Sequence, residues 1–203
     1  MNAETTTIPA PEDRGAVMTP AFRPKLRFFH PNGKGTGGAV ELELHPAHDR
    51  VDGSIMARVS NQMTVGDMRG PHPTFPRFDW ENAMSVKLDF TDLCKILQVL
   101  RGECEALEDG RGLIHRTAKA LTKIVLRHVV EPVSGYSFEL YRTPTQGEEM
   151  RAHIFFSPWE GLGLAEAIAG SMSVISFGIP VVIPHDTSAY EAANRELRNV
   201  RAA

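Results

Sequence analysis

Two short stretches of the chain crowd together side chains that could do chemistry. His45-Pro46-Ala47-His48-Asp49 places two imidazoles and a carboxylate within five residues. Such a group can begin a divalent-cation site or supply an acid–base pair. Yet it falls where an alternating segment ends, and Pro and Asp are ordinary turn formers. No third, distant ligand stands out, so neither metal nor cofactor is expected. Asn32-Gly33-Lys34-Gly35-Thr36-Gly37-Gly38 invites a phosphate-loop reading. It lacks the Gly-x-x-x-x-Gly-Lys-Ser/Thr spacing and leads into a strand instead of a helix, so the helix N-terminal anion site is absent. This loop either touches a polyanionic backbone through Lys34 or simply connects a hairpin. Cys94 and Cys104 read as structural thiols, too few for a disulfide framework or a zinc site. No Ser-His-Asp order or Cys-His pairing stands out. The chain is not expected to be an enzyme.

A third kind of chemistry lies in period-two placement. Lys25, Arg27 and Phe29 share one face of an alternating segment, Met56 and Arg58 one face of another, and Lys87 lies on a further one. Lys123 and Arg127 also share a face, and Tyr141 adds a ring. Cations at backbone spacing beside flat π-faces are what a sequence-tolerant site for an unstacked nucleic-acid strand requires. Trp80 either stacks a base or anchors a core or interface. Glu41, Glu43, Asp89 and Glu139 fall on the same outer face, where they would repel phosphate. The plainer alternative is a solvated sheet face with scattered charge.

Bulk charge offers no help to such a site. The net charge is −3. Residues 1–21 hold one basic and three acidic residues and 183–203 three of each, which leaves 18 basic and 19 acidic in between. A nucleic-acid surface must therefore come from local segregation of charge. The start of the chain is polar and acidic, unlike a secretory signal. The longest apolar stretch, Leu162 to Ile183, is interrupted by Gly, Ser and Pro, too broken for a membrane span. A cytoplasmic setting, nucleoid association included, is expected.

The elements that position these residues come in two similar sets. Strands are expected at Lys25–His30, Ala39–His45, Ser54–Ser60 and Ala83–Phe90, with a long loop from Asn61 to Pro76. Thr91 is expected to cap a helix whose Leu93, Ile96, Leu97 and Leu100 form one apolar stripe. Strands follow near Ile114–Ala118, Thr122–Val130, Tyr136–Arg142 and Arg151–Phe156. Ser157-Pro158-Trp159-Glu160 then reads as a capping box opening a second helix. That helix is rich in Gly, Ala and Ser, which let backbones approach closely. Leu162, Ala165, Ala169 and Met172 are expected to join subunits; the alternative is a helix buried within its own chain. The fold class is α+β: two repeated ββββα units forming two antiparallel sheets with packed helices. Residues 1–21 read as a disordered arm and 22–182 as one domain, with halves of about 22–110 and 111–182. Residues 183–203 read as a tail or short helix.

Four strands and a helix, repeated, is a pattern that resembles the whirly family and the related positive-cofactor-type transcriptional coactivators. Phe78-Asp79-Trp80-Glu81 is similar to the family's aromatic-Asp-Trp stretch. Ser85-Val86-Lys87-Leu88-Asp89-Phe90-Thr91-Asp92-Leu93 resembles its strand-into-helix junction, and Arg101-Gly102-Glu103-Cys104-Glu105 its helix end. The likeness covers about residues 25–180. It departs from the plant Lys-Gly-Lys-Ala-Ala-Leu signature, where this chain has Lys34-Gly35-Thr36-Gly37-Gly38-Ala39-Val40. The resemblance implies a homotetramer with central helices, single-stranded nucleic acid (DNA before RNA) along the outward sheets, and no reaction. The candidate contacts are then Lys25, Arg27, Phe29, Lys34, Arg58, Trp80, Lys87, Lys123, Arg127 and Tyr141. Two other readings stay open. One is an interaction protein of this fold without nucleic-acid binding. The other is a metal-dependent enzyme at His45, His48 and Asp49.

Overall fold

Alternation of apolar and polar residues builds the strands, and their inward halves merge into one core. The computed structural model describes residues 24–47, 51–67, 69 and 71–177. The arm 1–21, the tail 183–203 and the pair His48 and Asp49 lie outside the described residues. In chain order the elements are β1 (Lys25–His30), β2 (Gly38–His45), β3 (Ser54–Thr64), β4 (Arg77–Phe78), β5 (Met84–Leu88), α1 (Phe90–Leu100), β6 (Leu113–Arg116), β7 (Ala120–Val129), β8 (Gly135–Pro144), β9 (Met150–Phe156) and α2 (Pro158–Phe177). The first sheet runs β1-β2-β3, with β5 and the short β4 both paired to β3. The second runs β6-β7-β8-β9. Every pairing is antiparallel, and each sheet hands over to a helix. The molecule is therefore the expected α+β arrangement of two sheet-plus-helix units.

Three local expectations are corrected. First, β3 runs to Thr64 instead of ending at Ser60. Its far end finds a partner in β4, through Gln62↔Phe78 and Thr64↔Arg77, so paired strand replaces the first part of the expected loop. Second, Asp89 and not Thr91 caps α1. Asp92 N–H donates to Asp89 Oδ1 at 2.9 Å, and Asp89 N–H donates to Asp92 Oδ2 at 3.2 Å. An Asp-x-x-Asp box satisfies two orphan amides and puts negative charge at the positive end of the helix. Third, Phe90 does not face inward. The strand stops at Leu88, and Phe90, as the first helical residue, is exposed. The expected box at Ser157 and Glu160 is present, with Ser157 N–H donating to Glu160 Oε2 at 2.9 Å and Glu160 N–H donating to Ser157 Oγ at 3.3 Å.

Val40, Ala57, Val59, Met84 and Val86 line the inner face of the first sheet, and Ile124, Leu126, Leu140, Ile154 and Phe156 that of the second. Leu93, Ile96 and Leu97 of α1 and Leu164, Ala165 and Ile168 of α2 complete a single cluster. The two sheets meet at β2 and β9. A side chain at Gly38 would collide with the His153 carbonyl, and Asn61 Nδ2 donates to the Arg151 carbonyl at 2.8 Å. Gly38, the first residue of β2, thus serves sheet-to-sheet contact, while a side chain at Gly37 would strike the His30 carbonyl within its own unit.

The face of α2 corrects the expected seam. Ala165 is buried in its own protomer's core, and Ala169 and Met172 pack against that core. Of the four residues expected to join subunits, only Leu162 lies open. The helical period instead puts Trp159, Leu162, Gly163, Glu166, Gly170, Ser173 and Phe177 on the exposed side. Among the described residues no helix is long and apolar enough to cross a membrane.

Candidate nucleic-acid interface

Register decides which outward side chains become neighbours. On the first sheet Arg27 of β1, Glu41 of β2, Arg58 of β3 and Ser85 of β5 form one row across the strands. The next row is Lys25, Glu43, Met56 and Lys87. Glu41 is only 5% exposed although it sits on the open face, because cations cover it. Arg27 Nε and Nη2 both donate to its Oε2, at 2.7 and 2.6 Å. Lys25 Nζ lies 3.1 Å from Oε1, and Arg58 Nη1 lies 3.7 Å from the same oxygen. Burial alone would raise the Glu41 pKa; the hydrogen bonds from Lys25 and Arg27 outweigh it and hold the carboxyl below its ordinary value. Lys25 also pairs with Glu43 at 2.8 Å.

Beside this ladder lies an aromatic groove. Phe29 ends the outward face of β1 and meets Phe78 at 5.7 Å and Trp80, edge-on, at 6.3 Å. The Arg58 guanidinium lies 5.6 Å from the Trp80 ring centroid and donates to the Trp80 carbonyl at 3.1 Å. Pro31, Phe75, Pro76 and Arg77 complete an open groove of about 510 Å³. The glycine-rich loop borders it and is held firmly. Gln62 Oε1 accepts from Asn32 N–H at 2.8 Å and Gly37 N–H at 3.1 Å, while Asn32 Oδ1 accepts from Lys34 and Thr36. Lys34 stands exposed on that loop.

The second sheet repeats the motif of a covered carboxylate with different partners. Lys123, Tyr141 and Arg151 form one row, Val125, Glu139 and His153 the next, and Arg127, Ser137 and Phe155 the third. Glu139 is 2% exposed. Its Oε1 accepts from Arg127 Nη2 at 2.9 Å and Ser137 Oγ at 3.0 Å. Its Oε2 accepts from Arg151 Nη2 at 2.6 Å and from the Tyr141 hydroxyl. Burial pushes the carboxyl up, but the hydrogen bonds from Tyr141, Arg151 and Ser137 outweigh burial and bring it down to about 2. Arg151 also stacks over the Tyr141 ring at 5.3 Å.

The structure brings Phe29, Arg58 and Trp80 together, sets Lys25 and Arg27 beside them, and groups Lys123, Arg127 and Tyr141 on the other sheet. Lys34 and Lys87 stand apart from both carboxylates. Lys25, Arg27, Arg58 and Arg127 are ion-paired. Among the described residues Lys34, Lys87 and Lys123 have no carboxylate partner. Asp89, expected on the sheet face, is occupied in capping α1. Sequence reasoning missed Arg151, Arg77 and Phe75. Alternation from Phe155 back through His153 would have placed Arg151 outward. Phe75 lies in the stretch read as loop, and Arg77 directly follows it. His45 pairs with Glu43 at 2.9 Å. Among the described residues no three His, Cys, Asp or Glu side chains gather as a metal cage, and His48 and Asp49 lie outside them.

No protein-family model matches the chain, and no curated protein sequence matches it. Solved structures match its shape. WHY1 from Arabidopsis thaliana has a TM-score of 0.61 at 12% identity, over 88% of this chain and 93% of that one. The plant transcriptional regulator PBF-2 has a TM-score of 0.60 at 14% identity, over 77% and 84%. WHY3 from Arabidopsis thaliana gives 0.60 at 14%, over 77% and 90%. Likeness at this identity establishes the fold, which is whirly-like.

Proposed function

We propose that this chain binds single-stranded nucleic acid, DNA in preference to RNA, with little sequence preference. It does so as a homotetramer joined through α2, and it acts by binding alone, in the cytoplasm or on a nucleoid. The observation that carries this reading is the juxtaposition of the Phe29–Phe78–Trp80 groove with the Arg27–Arg58 ladder on one open sheet face. Phosphates of a bound strand meet Lys25, Arg27 and Arg58, then Lys34 and Lys87. Lys123, Arg127, Arg151 and Tyr141 extend the track on the second sheet. Unstacked bases find rings in the groove, each worth about 1–3 kcal/mol. Carboxylates do not cancel this face: Lys25, Arg27 and Arg58 gather on Glu41, Lys25 also meets Glu43, and Arg127 and Arg151 hold Glu139.

The test is fluorescence anisotropy with labelled oligo-dT at low and moderate salt, with duplex and oligo-U as competitors. Saturable binding of oligo-dT, poor competition by duplex, and a loss of about 1–3 kcal/mol in Trp80→Ala are expected. Absence of binding at low salt, or equal preference for duplex, contradicts the proposal. The ion-pairing of Lys25, Arg27, Arg58 and Arg127 supports a second reading, an interaction protein of this fold without nucleic-acid binding. It predicts a tetramer by light scattering and no oligonucleotide shift.

A further inference from the structure

We infer that Glu41 and Glu139 are positioning residues for the bound strand, an inference that rests on the single-strand reading above. A carboxylate on a phosphate-binding face is expected to weaken binding. These two have a different geometry. A carboxylate offers about four acceptor sites, and at Glu139 all four are filled: Arg127 and Ser137 on one oxygen, Arg151 and Tyr141 on the other. No acceptor faces an incoming phosphate, and the side chain is only 3% exposed while those of Arg127 and Arg151 are 55% and 56% exposed. Each arginine commits Nη2 to Glu139, which leaves its other N–H groups to donate outward. Two guanidiniums from different strands are thereby fixed about one buried point.

The first sheet arrives at the same device with other residues. Glu41 lies in register between Arg27 and Arg58. Arg27 bonds it through two nitrogens, and Arg58 is held from the far side by the Trp80 carbonyl. A simple counter-ion needs neither burial nor two arginines, and it would not recur at the centre of both sheets. Pre-ordering long side chains lowers the entropy that binding must otherwise spend on them. The cost is one negative charge per sheet, which the flanking cations exceed.

The inference makes a prediction opposite in sign to net-charge reasoning. Glu139→Gln and Glu41→Gln each raise the net charge by one, yet each should weaken oligo-dT binding roughly tenfold. Each should also make the dependence of log Kd on log salt shallower by about one phosphate contact or more. Glu103→Gln, an exposed substitution at the end of α1, makes the same charge change and should leave binding unchanged or slightly tighter. Equal or tighter binding by both sheet variants, with an undiminished salt slope, overturns the inference and leaves the binding proposal standing. A wild-type protein that binds no oligonucleotide overturns both. Should a glutamine variant fail to fold, side-chain Nε relaxation of the free wild-type protein decides. Arg127 and Arg151 should be markedly more ordered on the ps–ns timescale than Arg101 and Arg116, and equal mobility overturns the inference.

Discussion

Glu139 ties the stability of the sheet to pH. Its carboxyl titrates at about 2 in the folded chain against an ordinary 4.5. A depressed carboxyl stabilises the folded state in full above the unfolded value and loses that contribution as pH falls through 4.5 toward 2. Denaturant unfolding of the wild type should therefore show an acid limb between about pH 5 and 2 that is flattened in Glu139→Gln. The variant should be less stable by about 1–3 kcal/mol at neutral pH, and an unchanged acid limb would show that the cage contributes nothing. At this scale the sequence revealed the side but not the neighbour. Alternation placed Glu41, Arg27, Arg58 and Lys87 outward, and they are outward. It also placed Glu139 there as a source of repulsion. Ser137 and Tyr141 lie two residues either side of it on β8, within reach of alternation, but the convergence of Arg127 and Arg151 depends on the register of β7 and β9 against β8, which no local pattern states.

Elements were legible where local chemistry and period agreed, and misread where a distant partner decided. β1 has the expected bounds because its alternation stops at Pro31. The apolar stripe of α1 and the box at Ser157 are local signals and both hold. β3 overran its expected end because β4, thirteen residues beyond Thr64, supplies a partner for its last residues. The start of α1 was misread because Thr91 and Asp89 are both competent caps, and alternation carried the strand one step too far. The correction can be checked: Asp89→Ala should cost about 1 kcal/mol of stability, while Thr91→Ala should stay within about 0.5 kcal/mol. The reverse order would restore Thr91 as the cap. The glycine-rich loop was ambiguous in sequence for a physical reason. Its last glycine, Gly38, answers a packing demand, the approach of β2 to β9, that lies on another unit of the chain.

At the scale of the whole molecule, α2 has two faces. Its Leu164, Ala165 and Ile168 side closes the core. Its other side presents Trp159, Leu162 and Phe177 to solvent, set among Gly163 and Gly170, where an added Cβ would meet nothing. A helix apolar on both sides is normally covered on both. Small residues in the sequence pointed to the proposed seam but not to its face, since Ala165 and Leu162 differ by three residues and the rotation of α2 is set by the core. Leu162→Glu should convert the proposed tetramer to smaller species in light scattering without unfolding the chain. Retention of the tetramer would move the interface elsewhere.

Across both sheets, the proposed binding requires that arginines already paired to buried carboxylates still meet phosphates. The direct measurement is the salt dependence of oligo-dT binding by the wild-type protein. If about four phosphates are engaged, Kd should rise roughly fiftyfold between 50 and 200 mM salt. A Kd that does not change over that range would contradict the claim.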